Sequence, residues 1–303
     1  MDRYRTFASY IRETFKEPLY KICIDGGFTC PNRDGTLSSG GCTFCSGGGS
    51  GEFCSDRALS IRDQLKQGRD QTRAKHRGRY IAYFQAFTGT YAPAEKLEEI
   101  YRPALEDPDV AVISIATRPD CLPDRTLDLL QDMNRRKPVW VELGLQTCHD
   151  RTALMINRCY PTALFADAVE KLHARGIRVI AHLILGLPEE TEAMQLESVD
   201  YINALPVSGI KFSMLYLLKG TVLGEQFLRN PFPVFTPETY TDTLLACIKR
   251  LRPDIVVERM TGDAPRHLLI APRWHMGKGE VLNRIRHEMK VLDIRQGSDW
   301  MIY

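Results

Sequence analysis

Cys30, Cys42 and Cys45 stand in the spacing C-x11-C-x2-C, flanked by Gly26, Gly27, Gly35, Gly40 and Gly41. Three thiolates on one loop can hold three irons of a [4Fe–4S] cluster and leave the fourth iron open to a small ligand. Flanking glycines let the backbone come close and offer amide N–H groups to the sulfides. The other reading is zinc. Zinc sites take four ligands and usually bring two close pairs. Only Cys42 and Cys45 form a close pair here, and Cys54 is the candidate fourth ligand.

A second set of polar residues sits just beyond the ends of apolar runs. These are Gln85 and Thr88, then Thr117, Arg118 and Asp120, then Glu142, Gly144 and Gln146. His182 and Gly186 follow, then Tyr216 with Lys219, and Glu258 with Arg259. His182 interrupts an apolar run, so it is either a satisfied core group or a site residue. Lys219 is either a solvated loop lysine or a cation for an anionic ligand. Arg118 and Arg259 are expected to pair with Glu142 or Glu258. Cys54 reads as a bystander in its loop, and Cys23, Cys121, Cys148, Cys159 and Cys247 as small buried residues.

The runs that carry these residues alternate with helical patterns. Strands are expected over Leu19–Asp25, Arg79–Gln85, Val110–Ala116, Val139–Leu145, Val179–Leu185, Ile210–Leu217 and Ile255–Met260. Helices are expected over Ala94–Leu105, Asp124–Arg136, Thr162–Arg175, Glu189–Leu205 and Pro237–Leu251, with Thr162 and Gly176 as caps of the third. Near-continuous apolar strands suit a parallel sheet buried on both faces. Six or seven β-α units read as a partial (β/α)6 TIM-like barrel, whose chemistry lies beyond the C-terminal ends of its strands. A doubly wound sheet is the alternative, weakened because no Gly-x-Gly-x-x-Gly follows an early strand. The expected organisation is a basic segment over 1–18, the barrel over 19–245 and an extension over 246–303.

The chain has 303 residues, 44% hydrophobic and 26% charged, the composition of a globular protein with a sizeable core. There is no apolar run of 18 residues, so no membrane span is expected, and Met1–Arg5 shows no secretory apolar region. The expected compartment is the cytoplasm, where clustered cysteines mean metal or catalysis rather than disulfides. Net charge is +2, yet residues 1–79 carry 14 Lys and Arg against 9 Asp and Glu, residues 80–245 carry 15 against 22, and residues 246–303 carry 11 against 7. Basic ends around an acidic middle permit a nucleic-acid partner. Within Lys66–Arg79, the cations Lys66, Arg69, Arg73, Lys75, Arg77 and Arg79 face one acid, Asp70. This is a solvated helix or a phosphate footprint. Trp274 is either buried or able to stack on a base.

The chain resembles the radical SAM superfamily, and within it the YhcC/YtqA-like group related to the radical SAM part of the elongator catalytic subunit. Asp25-Gly26-Gly27-Phe28-Thr29-Cys30-Pro31-Asn32-Arg33-Asp34-Gly35 and Gly41-Cys42-Thr43-Phe44-Cys45 carry the resemblance. Tyr83-Phe84-Gln85, Thr117-Arg118-Pro119-Asp120, Glu142-Leu143-Gly144-Leu145-Gln146-Thr147, Gly186-Leu187-Pro188, Leu218-Lys219-Gly220-Thr221 and Met260-Thr261-Gly262-Asp263 extend it. The resemblance implies a [4Fe–4S] cluster on Cys30, Cys42 and Cys45, with S-adenosylmethionine on the open iron. It implies Phe44 beside the adenine, Gln85 at the amino acid moiety, Glu142 and Gln146 at the ribose, Gly186 near the adenine, and His182 and Lys219 on the catalytic side. It implies reductive cleavage of S-adenosylmethionine, an electron donor of the reduced flavodoxin or ferredoxin type, and hydrogen abstraction from a tRNA wobble uridine side chain, 5-carboxymethylaminomethyl-uridine to 5-aminomethyl-uridine. A radical step on a small metabolite and a non-catalytic metal- or cluster-binding interaction protein are the alternatives. Two stretches depart from the group. Lys211-Phe212-Ser213-Met214 lacks a histidine two residues after the lysine, and Asn157-Arg158-Cys159-Tyr160 replaces an Asn-Arg-Gly-His type sequence.

Overall fold

The alternation of side chains along seven strands decides where the chemistry sits. In the computed structural model, which describes residues 2–72 and 78–300, the strands are β1 (Tyr20–Ile24), β2 (Tyr80–Phe84), β3 (Val110–Thr117), β4 (Val139–Gln146), β5 (Arg178–Leu185), β6 (Gly209–Met214), β7 (Leu217–Leu218), β8 (Val256–Arg259) and β9 (Leu269–Ala271). The helices are α1 (Phe7–Phe15), α2 (Ile61–Thr72), α3 (Ala94–Glu106), α4 (Asp124–Arg136), α5 (Asp150–Met155), α6 (Thr162–His173), α7 (Glu192–Asn203), α8 (Val222–Arg229), α9 (Pro237–Arg250) and α10 (Lys278–Val291). One parallel sheet runs β1-β2-β3-β4-β5-β6-β8, and β7 pairs antiparallel with β9.

The sheet curls. Strands lie about 4.8 Å apart, so β1 and β8 would be about 29 Å apart in a flat sheet. Yet Lys21 on β1 reaches Glu258 on β8 at 3.2 Å, and Glu142 on β4 at 3.2 Å. The edges face each other across an open side without a shared ladder, which makes a partial barrel of seven strands.

Inside, the period of two builds layers. Ile81, Val112, Trp140 and Ile180 form an apolar floor. Two residues along each strand come Tyr83, Ser114, Glu142 and His182. Two further come Gln85, Ala116, Gly144 and Ile184. The floor is closed by α1, whose Phe7, Tyr10 and Phe15 place their rings 6.1, 6.0 and 6.2 Å from Trp140. Their spacing puts them on one helical face, and Thr6 caps the helix by accepting from Ser9 N. Outward strand residues such as Ile22, Ile113, Val141, Ala181 and Phe212 pack under the helices as the main core.

Several expectations are corrected. The run Ile210–Leu217 is not one strand: β6 stops at Met214, and Leu217 and Leu218 leave for the β7–β9 pair. Thr162 does not cap α6; its N-cap is Pro161, and the Thr162 hydroxyl donates to Asp150 Oδ1 instead. The helix expected from Glu189 starts later, at Glu192 under Thr191, whose side chain accepts from Met194 N. Helix α9 runs across 245, and β8 beyond it adds the last strand of the sheet.

Candidate active site

Cys30, Cys42 and Cys45 line one cavity of about 280 Å³ at the C-terminal rim of the strands. Their loop is held from several sides. Asn157, in the left-handed conformation at φ 53°, donates through Nδ2 to Gly41 O at 2.8 Å and Ser38 Oγ at 3.2 Å. Buried Asn32 donates back to Asn157 O at 2.6 Å and approaches Cys42 Sγ at 3.6 Å. Arg33 donates to Cys45 O at 2.7 Å. The divergent stretch 157–160 is therefore a brace. Arg158 is fully buried and donates to the carbonyls of Leu145, Thr147 and Tyr160, while Tyr160 donates to Gly144 O.

The three thiols fit a cluster. None is in a disulfide. Burial, then the neighbouring Cys45, pushes the Cys42 thiol up to about 12, and burial raises Cys45 despite Arg33. Buried thiolates crowded this way need a cation to persist. Among the described residues no three His, Cys, Asp or Glu side chains gather closely enough for a single metal ion. Three cysteines lining one cavity match the count that a [4Fe–4S] cluster with one open iron needs, one short of a four-ligand zinc site. Cys54 does not line the cavity, and burial, then Cys23, pushes it up to about 12.

Beneath the cysteines lies a buried charge network. Glu142 Oε1 accepts from Lys21 at 3.2 Å and from Ser114 at 2.9 Å. Its Oε2 accepts from Lys211 and from His182 Nε2, the latter at 2.9 Å. Burial alone would raise Glu142, but Lys21 and Lys211 outweigh it and hold the carboxyl well below its usual range. Glu258 accepts from Arg178 at 2.6 Å and from Lys21, and these cations likewise overcome burial. Burial pulls Lys211 down to about 7, with Glu142 offsetting only part. Burial also takes His182 down to about 4, against its bond to Glu142. With Glu142 charged, neutral His182 must donate from Nε2, which leaves Nδ1 as an acceptor.

Phe44, Gln85, Glu142, Gln146 and His182 all line the cysteine cavity. Gln85 Nε2 donates to Ser50 O at 2.6 Å. Gln146 takes φ 68° at a register shift in which Leu145 is skipped. Two of the expected residues lie outside this lining. Lys219 is exposed and outside the cavity lining, because β7 turns away to pair with β9. Gly186, at φ 82°, packs against Phe235 instead of lining the cavity; an added Cβ would meet that ring at 2.6 Å. Arg118 pairs with Asp120 at 2.7 Å rather than with a barrel glutamate. Lys21 and Lys211 join the site unforeseen; a lysine inside an apolar strand is the signal that could have found them.

The expected phosphate footprint is also redrawn. Arg69 is paired with Asp107 at 2.6 Å, and Arg79 with Glu17 at 2.7 Å. Arg73, Lys75, His76 and Arg77 lie outside the described residues. Trp274 donates to Phe235 O and packs on Tyr240. Among the described residues no helix is long and apolar enough to cross a membrane.

Comparison with known proteins agrees with this geometry. The Radical SAM superfamily pattern matches residues 30–202, and the Radical_SAM C-terminal domain matches residues 207–291. YtqA of Bacillus subtilis is 44% identical over 98% of this chain and 92% of its own length. YhcC of Escherichia coli K12 is 35% identical over 97% and 96%. The solved Elp3 of the archaeon Methanocaldococcus infernus shares the fold, with a TM-score of 0.68 at 14% identity, covering 92% of this chain and 64% of that one. The superfamily uses a [4Fe–4S] cluster and S-adenosylmethionine. With the three-cysteine cavity seated at the rim of a partial barrel, this chain belongs to the radical SAM superfamily.

Proposed function

We propose that this enzyme acts on the side chain of a tRNA wobble uridine, of the 5-carboxymethylaminomethyl to 5-aminomethyl type. The observation that carries this reading is a second cavity, about 910 Å³, at the open side of the barrel between the N-terminal segment, β8 and α10. It shares Tyr83, Gln85, Arg259 and Asp263 with the cysteine cavity, so the two adjoin. Eight Lys and Arg line it against three Asp and Glu, and Arg12, Arg286 and Lys290 at its margin are exposed. A splayed base can enter such an opening while phosphates meet the margin. A small metabolite needs no exposed cations outside the cavity.

The cluster and S-adenosylmethionine, when bound, supply hydrogen-atom abstraction from an unactivated carbon. The chain's own residues position and exclude. Cys30, Cys42 and Cys45 hold the cluster. Phe44 flanks the adenine, Gln85 meets the amino acid moiety, and Gln146 takes the ribose. Glu142 has both oxygens engaged within the barrel, so its role is to fix Lys21, Lys211 and His182 rather than to bind ribose. His182 lines the cavity and keeps Nδ1 as an acceptor. Reduced flavodoxin or ferredoxin supplies the electron. Nucleoside analysis of tRNA from cells lacking this protein tests the proposal. The expected result is accumulation of the carboxymethylaminomethyl nucleoside, and an unchanged wobble profile would contradict it.

A further inference from the structure

The charged interior of the barrel carries a cation without a counter-charge. Both buried carboxylates are taken: Glu142 by Lys21 and Lys211, Glu258 by Lys21 and Arg178. Asp263, the acid on the wall shared by the two cavities, is held by Lys278. Among the described residues Arg259 has no carboxylate partner. Its Nη2 donates to Ser213 Oγ, and its Nε is buried with no acceptor. An N–H left in that state costs stability until something accepts from it.

The backbone is built to put it there. Ile210 pairs with Val257, but Lys211 pairs with Arg259, so Glu258 is an extra residue in β8. Such a bulge re-aims side chains, often beside an active site. Here it turns two consecutive residues inward, Glu258 toward Lys21 and Arg178, and Arg259 into both cavities. A regular strand would send one of them outward.

We propose that Arg259 anchors a carboxylate carried by the substrate, at the junction where the lateral cavity meets the cysteine cavity. One unpaired guanidinium matches one carboxylate group, and its planar fork of N–H donors matches that group's two oxygens. The inference rests on reading the lateral cavity as the substrate's entry. The other source of a carboxylate is S-adenosylmethionine itself, and the test separates the two.

Cluster-loaded enzyme saturated with S-adenosylmethionine is melted anaerobically in rising malonate or malonamide at fixed ionic strength. Malonate is expected to raise Tm saturably and malonamide is not. Arg259→Gln should raise the half-saturating malonate at least about ten-fold, with S-adenosylmethionine affinity unchanged. Arg259→Lys, which keeps the charge but loses the fork, should fall between, and it is read alone if Arg259→Gln does not fold. An equal malonate response in wild type and variants overturns the proposal, as does no response in wild type. Weaker S-adenosylmethionine binding with an unchanged malonate response also overturns it, by giving Arg259 to the cofactor. If the malonate difference holds while wobble nucleosides stay unchanged, the anchor stands and the substrate becomes a small carboxylic acid.

Discussion

His182 breaks an apolar strand because its ring is bonded, not because it is free. Nε2 donates to Glu142, and burial lowers its pKa from near 6.5 to about 4. Between those values the unfolded chain binds a proton that the folded chain refuses, so stability falls as pH drops from about 6.5 to about 4. Thermal melts across that range should show the loss, and His182→Gln should flatten it. An identical pH profile in the variant would remove His182 from this role. At this scale the sequence is partly readable. Cys30, Cys42 and Cys45 declare themselves by spacing. Glu142 falls at the expected cavity, but its partners Lys21 and Lys211 stand 121 and 69 residues away, and only the curl of the sheet brings them together. The sequence suggests a glutamate partner for Arg259; the bulge that denies it one is invisible in a string of residues.

At the scale of elements, strand positions follow from apolar runs, and the layered interior follows from their period. The loops that organise the site do not. Asn157 and Asn32 bond to each other's segments across the cysteine loop, 125 residues apart in the chain. Asn157 therefore holds the cluster loop in shape. Asn157→Ala is expected to fold with iron and sulfide content well below wild type after reconstitution, whereas Cys54→Ala retains full content. Any of Cys30, Cys42 or Cys45 replaced by Ala should lose the cluster absorbance. Full iron content in Asn157→Ala would reduce the brace to a packing detail. Helix α1 escapes a reading of the sequence because its aromatic face has no partner nearby in the chain. That partner is Trp140, on β4, at the floor of the barrel. Removing that ring, as in Trp140→Ala, should cost about 3–5 kcal/mol in denaturant melts, and a loss below about 1 kcal/mol would mean α1 is not the plug described.

For the whole molecule, the charge asymmetry of the sequence survives, but its location changes. Part of the basic stretch near Lys66–Arg79 is neutralised by ion pairs to Asp107 and Glu17. Exposed cations of the lateral opening come from both ends of the chain, among them Arg12 from α1 and Arg286 and Lys290 from α10. No segment of sequence contains that surface, which is why only folding reveals it. Replacing these three with Gln should weaken tRNA binding and flatten the salt dependence by about 0.7–0.9 in log–log slope for each phosphate that the protein no longer neutralises. A slope equal to that of wild type would place the RNA elsewhere.

On the proposed function, hydrogen abstraction at the cysteine cavity is coupled to a tRNA held at the lateral opening. Its most direct test is the yield of 5′-deoxyadenosine from reconstituted enzyme, S-adenosylmethionine and reductant, measured with and without tRNA bearing 5-carboxymethylaminomethyl-uridine. The expected result is slow release without tRNA, a marked rise with it, and loss of the carboxymethylaminomethyl nucleoside in proportion. An equal yield in both cases, with the nucleoside intact, would contradict it.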